Sequence, residues 1–225
     1  MRNKIFILLL LLVFINCGSK KPDINDEYHK YQITRGEDPR AKRPFQHFKD
    51  FLTYKDSIKK QDLRNNQILK VNKVYVHYLT SNSVEFSIYS DNDTFCLSSY
   101  DLDMDGKILS MPDENGIVKV IKPIIVDDFG DFEITNNIIK TRSRSKTPFK
   151  EWYDYVEGTI KNDTIYLSKK YWGKSKNNYK FKKYWLARTR KTNLKEIYQP
   201  NLKAERLKSN NSLTYFRVTG EFKVN

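Results

Sequence analysis

The residues best spaced for chemistry form one short run, Asp101-Leu102-Asp103-Met104-Asp105-Gly106-Lys107-Ile108. Carboxylates at alternate positions, then a glycine, offer hard oxygen ligands and a tight turn, which is what Ca²⁺ takes. Such a loop wants a bidentate glutamate at its twelfth position. Here Pro112 stands there, with Asp113 and Glu114 just beyond. Asp101, Asp103 and Asp105 are therefore candidate calcium ligands, set against a plainer reading in which Asp and Gly simply make a hairpin turn.

A second constellation runs from Tyr171 to Lys191. Lys180, Lys182, Lys183 and Arg188 stand there among Tyr184, Trp185 and other aromatics, with no acidic residue. Cations beside aromatic faces suit anionic glycans or lipid headgroups. The same pattern also describes a strand with one core face and a lysine-rich outer face that guards an edge. Asp127, Asp128 and Asp131 surround Phe129-Gly130 and read as a polar turn rather than an acid–base pair. His29, His47 and His77 are isolated, and no metal-protease, nucleophile-elbow or phosphate-loop pattern occurs. No catalytic residues are assigned, and the expectation is a protein that is not an enzyme.

The start of the chain is an address. Arg2 and Lys4 precede an apolar run, Ile5 to Ile15, which ends at Asn16-Cys17-Gly18-Ser19. A basic segment, a short apolar run and a processing site make a secretory signal, and the run is shorter than the ~20 residues of a bilayer span. The cysteine after that run, followed by Gly and Ser, resembles the lipobox of bacterial lipoproteins of the Bacteroidota type, with Asn16 where Gly, Ala or Ser is usual. The resemblance implies cleavage before Cys17, a diacylglyceryl thioether on it, and further acylation of the new amino terminus. Several acyl chains anchor stably where one does not. Gly18, rather than Asp, after the cysteine implies the outer membrane.

The formal net charge is +14, of which Arg2 and Lys4 supply two, leaving +12 after processing. An exported basic protein meets phospholipid headgroups, lipopolysaccharide or acidic glycans, and no nucleic acid. The abundance of Lys, Asn and Ile is also what an AT-rich genome produces. With Cys17 lipidated, Cys96 has no disulfide partner and reads as a small buried hydrophobe.

Three segments follow from composition: a signal peptide over 1–16, a lipidated cysteine and flexible tether over 17–44, and a single β-rich domain over 45–225. Phe48, Phe51 and Leu52 recur at helical spacing within Phe45 to Arg64. From Val71 on the pattern is strand. Val84-Glu85-Phe86-Ser87-Ile88 alternates strictly, putting Val84, Phe86 and Ile88 on one face. Hairpin turns are expected at Asn136-Asn137, at Lys161-Asn162-Asp163 and around Gly220, a long strand over Tyr179 to Thr189, and a partly helical stretch from Leu194 to Lys208. The result is a mainly β fold, an antiparallel meander forming a barrel or sandwich, with short helices near 45–64 and 194–208.

Tyr155-Val156-Glu157-Gly158-Thr159-Ile160 turning into Asp163-Thr164-Ile165-Tyr166-Leu167 resembles the lipocalin-like lipoproteins of the Bacteroidota, over about residues 70–190. The family's G-x-W signature is missing, since Glu37 and Asp38 follow Gly36. The resemblance implies a barrel holding a hydrophobic or amphipathic ligand. The competing expectation is a lipoprotein that docks on anionic glycans or partner proteins through its basic aromatic face.

Overall fold

The structure is a computed structural model that describes residues 24–39, 45–80, 82–102, 106–173, 189–207 and 213–224. Its chain divides into two compact units, one running through Ser57 and the other from Ile58.

The first unit is helical. Helix α1 (Ile24–Thr34) and the beginning of α2 (Phe45–Arg64) meet through aromatic rings. Tyr28 packs edge-on against Phe48, with ring centroids 5.3 Å apart, and Tyr31 lies 5.4 Å from Phe51. Lys55 pairs with Glu27. Composition alone makes 18–44 a featureless tether, but α1 lies within it. Its apolar stripe is narrow, Tyr28 and Tyr31 one turn apart, and becomes visible only against its helical partner. Asp26 and Glu27 in its first turn also favour the helix dipole.

The second unit is mainly β, as the alternating patterns predict. Eight antiparallel strands close a barrel in the order β1 (Val74–Thr80), β2 (Ser83–Tyr89), β3 (Thr94–Asp101), β5 (Asp128–Thr135), β6 (Ile138–Thr147), β7 (Lys150–Lys161), β8 (Thr164–Gly173) and β9 (Arg190–Tyr198). Strand β4 (Ile117–Val126) leaves the meander. It joins β10 (Leu202–Leu207) and β11 (Tyr215–Lys223) in a three-stranded sheet, ordered β10-β11-β4. The turns follow the sequence. Asn136 takes φ 56°, and Asn162 and Asp163 take 49° and 59°, the paired positive values of a tight hairpin. The barrel closes between β9 and β1 over only two residue pairs, Tyr75↔Tyr198 and Val76↔Ile197. Beyond them, His77 Nδ1 reaches the Lys195 carbonyl oxygen at 3.0 Å.

Two cores share the wall β1–β3. Outside it, Val74, Val76, Val84, Phe86, Ile88 and Cys96 pack against Val118, Ile124, Val126, Phe216, Val218 and Phe222 of the three-stranded sheet. Tyr100 pins the layers: its hydroxyl donates to the Ile125 carbonyl (2.7 Å) and accepts from the Ile125 amide (3.1 Å). Inside, Tyr75, Tyr89, Phe95, Phe132, Ile139, Ile160 and Ile165 fill one end of the barrel, with Leu63 and Leu69 packed among them. The Asn66 side chain accepts from the Ile68 and Leu69 amides and fixes that end (2.9 and 2.8 Å).

Three expectations are corrected. Within the stretch 194–208 expected to be helical, the described residues 194–207 are not: they form most of β9 and all of β10. Their lysines, glutamates and alanine suit a helix, but pairing with β8 and β11 decides the outcome. Gly220 is not a hairpin turn. Strand β11 runs straight through it, and Gly220 is a bulge with φ 113° where a Cβ would meet the Asn201 carbonyl oxygen at 2.3 Å. Asp128 to Asp131 is not a turn either. It belongs to β5, and Gly130 lets the strand pass so near Arg142 that a Cβ would stand 2.0 Å from its carbonyl oxygen. Among the described residues no helix is long and apolar enough to cross a membrane.

Candidate cavity inside the barrel

Strand pairing fixes which side chains face the barrel axis. Tyr75 fills the interior, and its partners Ser87 and Tyr198 share its face. Alternation along β2 then turns Glu85, Ser87 and Tyr89 inward and sends Val84, Phe86 and Ile88 out to the second sheet. On β9 the inward set is Leu194, Glu196 and Tyr198; on β6 it is Ile139, Thr141 and Ser143. A register shift in β8 between Leu167 and Lys169 resets the alternation and brings Lys170 and Trp172 to the inner side.

Aromatic packing fills only one end of this interior. The other end holds a cavity of about 460 Å³. Tyr89, Phe95, Leu97, Val156, Leu167 and Leu194 give it apolar walls, and Glu85, Glu196, Thr141, Ser143, Asp154 and Lys170 its polar groups. Trp172 is partly exposed and, with Arg144 and Arg190, marks the mouth. At the rim Asp154 accepts from Ser145 and from Trp152 Nε1 (3.3 Å). Arg144 is held by both oxygens of Glu151, at 3.0 and 2.8 Å. Arg190 lies over the Trp172 ring, 5.7 Å from its centroid. Phe149, at the hairpin between β6 and β7, is 99% exposed between Lys146 and Lys150.

Glu196 is the most enclosed charged group of the cavity, 1% exposed. Burial pushes its carboxyl up to about 7, against the hydrogen bond it accepts from Tyr89 Oη (2.7 Å). Burial also raises Glu85, partly offset by the charges of His77 and Lys170. Tyr89, wholly enclosed beside Glu196, is pushed far above its ordinary value by burial and by that neighbouring charge.

None of the site residues singled out from sequence is among the described residues that line the cavity. Cys17, Asp103, Asp105, Lys180, Lys182, Lys183, Tyr184, Trp185 and Arg188 fall outside the described residues, as does nearly all of the strand expected over Tyr179 to Thr189. Asp101 is an exposed residue at the end of β3, and among the described residues no group of three metal-ligating side chains comes together. Cys96 is buried against the second sheet. Asp127, Asp128 and Asp131 do structural work: Asp128 accepts from the Thr214 amide (3.2 Å), Asp131 pairs with Arg142, and the Asp127 carbonyl accepts from the Leu97 amide (2.9 Å).

Sequence reasoning missed the cavity carboxylates. The signal was present in Ser83–Tyr89, where Glu85 and Ser87 alternate with three large apolar residues. Alternation says only that Val84, Phe86 and Ile88 share a face, and in this barrel that apolar face is the outer one. Glu196 was hidden by the helical reading of β9. No family model matches the chain, and no match was found among curated proteins or solved structures.

Proposed function

We propose that this protein is a non-enzymatic binding lipoprotein of the bacterial envelope, anchored through acylated Cys17, that holds a small hydrophobic or amphipathic ligand inside its barrel. The observation that carries the reading is the cavity of about 460 Å³, walled by aliphatic and aromatic side chains. Small-molecule sites span roughly 300–1,000 Å³ and combine apolar walls with a few convergent polar groups. A closed antiparallel barrel with one packed and one hollow end agrees with the resemblance to lipocalin-like lipoproteins drawn from Tyr155 to Leu167. Acylation at Cys17 and an outer-membrane address rest on the signal sequence.

Native mass spectrometry of the chain from Gly18 onward, which keeps every described residue, tests the reading. After export to the periplasm and purification without detergent, a co-purifying mass of a few hundred daltons is expected. A bare protein that also fails to take up a neutral hydrophobic probe overturns it.

A second reading, docking on an anionic polymer or surface, is favoured by one feature, the exposed Phe149 between two lysines at the β6–β7 hairpin. It predicts binding to an anionic glycan that weakens as salt rises.

A further inference from the structure

We infer that the ligand of this cavity is an organic cation, an apolar body bearing a protonated amine, with the nitrogen seated on Glu196 and Glu85. The inference rests on the cavity-binding reading above and names the charge of what is bound.

Elsewhere in the β-unit several enclosed or half-enclosed acids have cations beside them, while Asp128 and Asp154 are held by neutral donors. Asp91, 2% exposed, is held by Arg64 at 2.6 Å and Arg206 at 3.0 Å. Asp131 has Arg142, and Glu157 has Lys169 at 3.0 Å and Lys140 at 3.9 Å. The two cavity glutamates make no such ion pair. Glu196 has neutral donors beside it, the hydroxyls of Tyr89 and Ser87, and among the described residues neither Glu196 nor Glu85 makes an ion pair. The nearest cations stand outside ion-pair distance. His77, paired across strands with Glu85, gives its Nδ1 to the Lys195 carbonyl. Lys170 is exposed and acts on both carboxylates only through space.

An unpaired carboxylate in a place that excludes water is costly, and a cation delivered to it removes that cost. The surroundings suit such a cation. Tyr89 and Phe95, stacked with centroids 5.0 Å apart, line the same cavity, and the faces of such rings attract positive charge. Leu97, Val156, Leu167 and Leu194 receive the apolar body. The cations at the rim do not reverse the preference: Arg144 is neutralised by Glu151, and Arg190 is exposed, where solvent screens it. The burial that holds Glu196 near 7 is consistent with a site that lacks its counter-ion.

Isothermal titration of the full chain, reconstituted in phospholipid nanodiscs, with three water-soluble probes of one shape tests the inference: phenylpropylammonium, phenylpropanol and phenylpropanoate. The ammonium is expected to bind about tenfold or more tighter than the alcohol, with the carboxylate weakest. In Glu196→Gln, and separately in Glu85→Gln, that advantage shrinks while alcohol binding persists, which also shows that the variants fold. Equal binding of ammonium and alcohol overturns the inference and leaves the cavity reading standing. Failure of all three probes overturns both.

Discussion

Glu196 and Asp91 are both almost fully enclosed, yet pH acts on them in opposite directions. Glu196 titrates near 7 in the folded chain against an ordinary value of 4.5, so between those values the folded state holds a proton that the unfolded state has lost. Stability therefore falls as pH rises from about 4.5 to 7, by at most about 3 kcal/mol at 1.36 kcal/mol per unit. For Asp91, burial works upward but the Arg64 and Arg206 guanidiniums and Asn72 outweigh it, leaving the carboxyl below 3.8. Its contribution is complete above that value and is lost as pH falls through the lower folded one. Thermal melts should thus be most stable near pH 4–5, and Glu196→Gln should flatten the decline toward pH 8. A melting temperature that rises from pH 5 to 8 in the unmodified chain would contradict the assignment. Cys96 gives a separate test at the same scale. Burial, with Asp128 nearby, pushes its thiol up to about 12. It should resist thiol reagents at pH 8 until denaturant is added, since the thiolate is the reactive form.

At the level of single strands and helices, the sequence was most legible where propensity and pairing agree. Val74 to Tyr78, Ser83 to Tyr89 and the Asn162-Asp163 turn stand where alternation and turn chemistry place them. The helix over Phe45–Arg64 appears with the bounds its spacing suggests. Reading failed where a partner distant in the chain decides. Leu202–Leu207 carries good helix formers, but each of its residues pairs with β11, from Gly220 back to Tyr215. Gly130 and Gly220 look like turn residues in isolation, yet both sit inside strands where a neighbouring carbonyl comes too near for a Cβ. The site was lost for a related reason: alternation says which residues share a face, not which face looks into a lumen. Gly130→Ala should cost about 1–3 kcal/mol in urea unfolding, because Arg142 must move to admit the methyl. A neutral result would mean that the β5–β6 ladder is looser than drawn.

Across the whole β-unit, one wall serves two interiors. Strands β1–β3 present their apolar residues to the three-stranded sheet and their mixed residues to the barrel. This separates stability from binding. Phe86 is fully buried in the outer core, 5.4 Å from Phe222 by ring centroid. Phe86→Ala should cost about 3–5 kcal/mol, read from the urea midpoint. Leu194→Ala, at the cavity wall, should change ligand uptake more than the midpoint, because the space around it is already partly empty. The reverse ranking would place the second sheet outside the cooperative fold.

The two-pair closure between β1 and β9 also sets the order in which this barrel loosens. A cylinder of hydrogen-bonded strands breathes first where its ladder is shortest, and local opening is measured by amide exchange. Here the clasp is Tyr75–Val76 against Ile197–Tyr198, extended at one end by the Gln199 amide on the Val74 carbonyl and at the other by one imidazole. Amides along this line should exchange with deuterium well before those of the ten-pair ladder joining β6 to β7, and His77→Phe should hasten them further. The cylinder is in effect a curled sheet held by a latch, and its slowest-exchanging amides should lie on the side away from that latch.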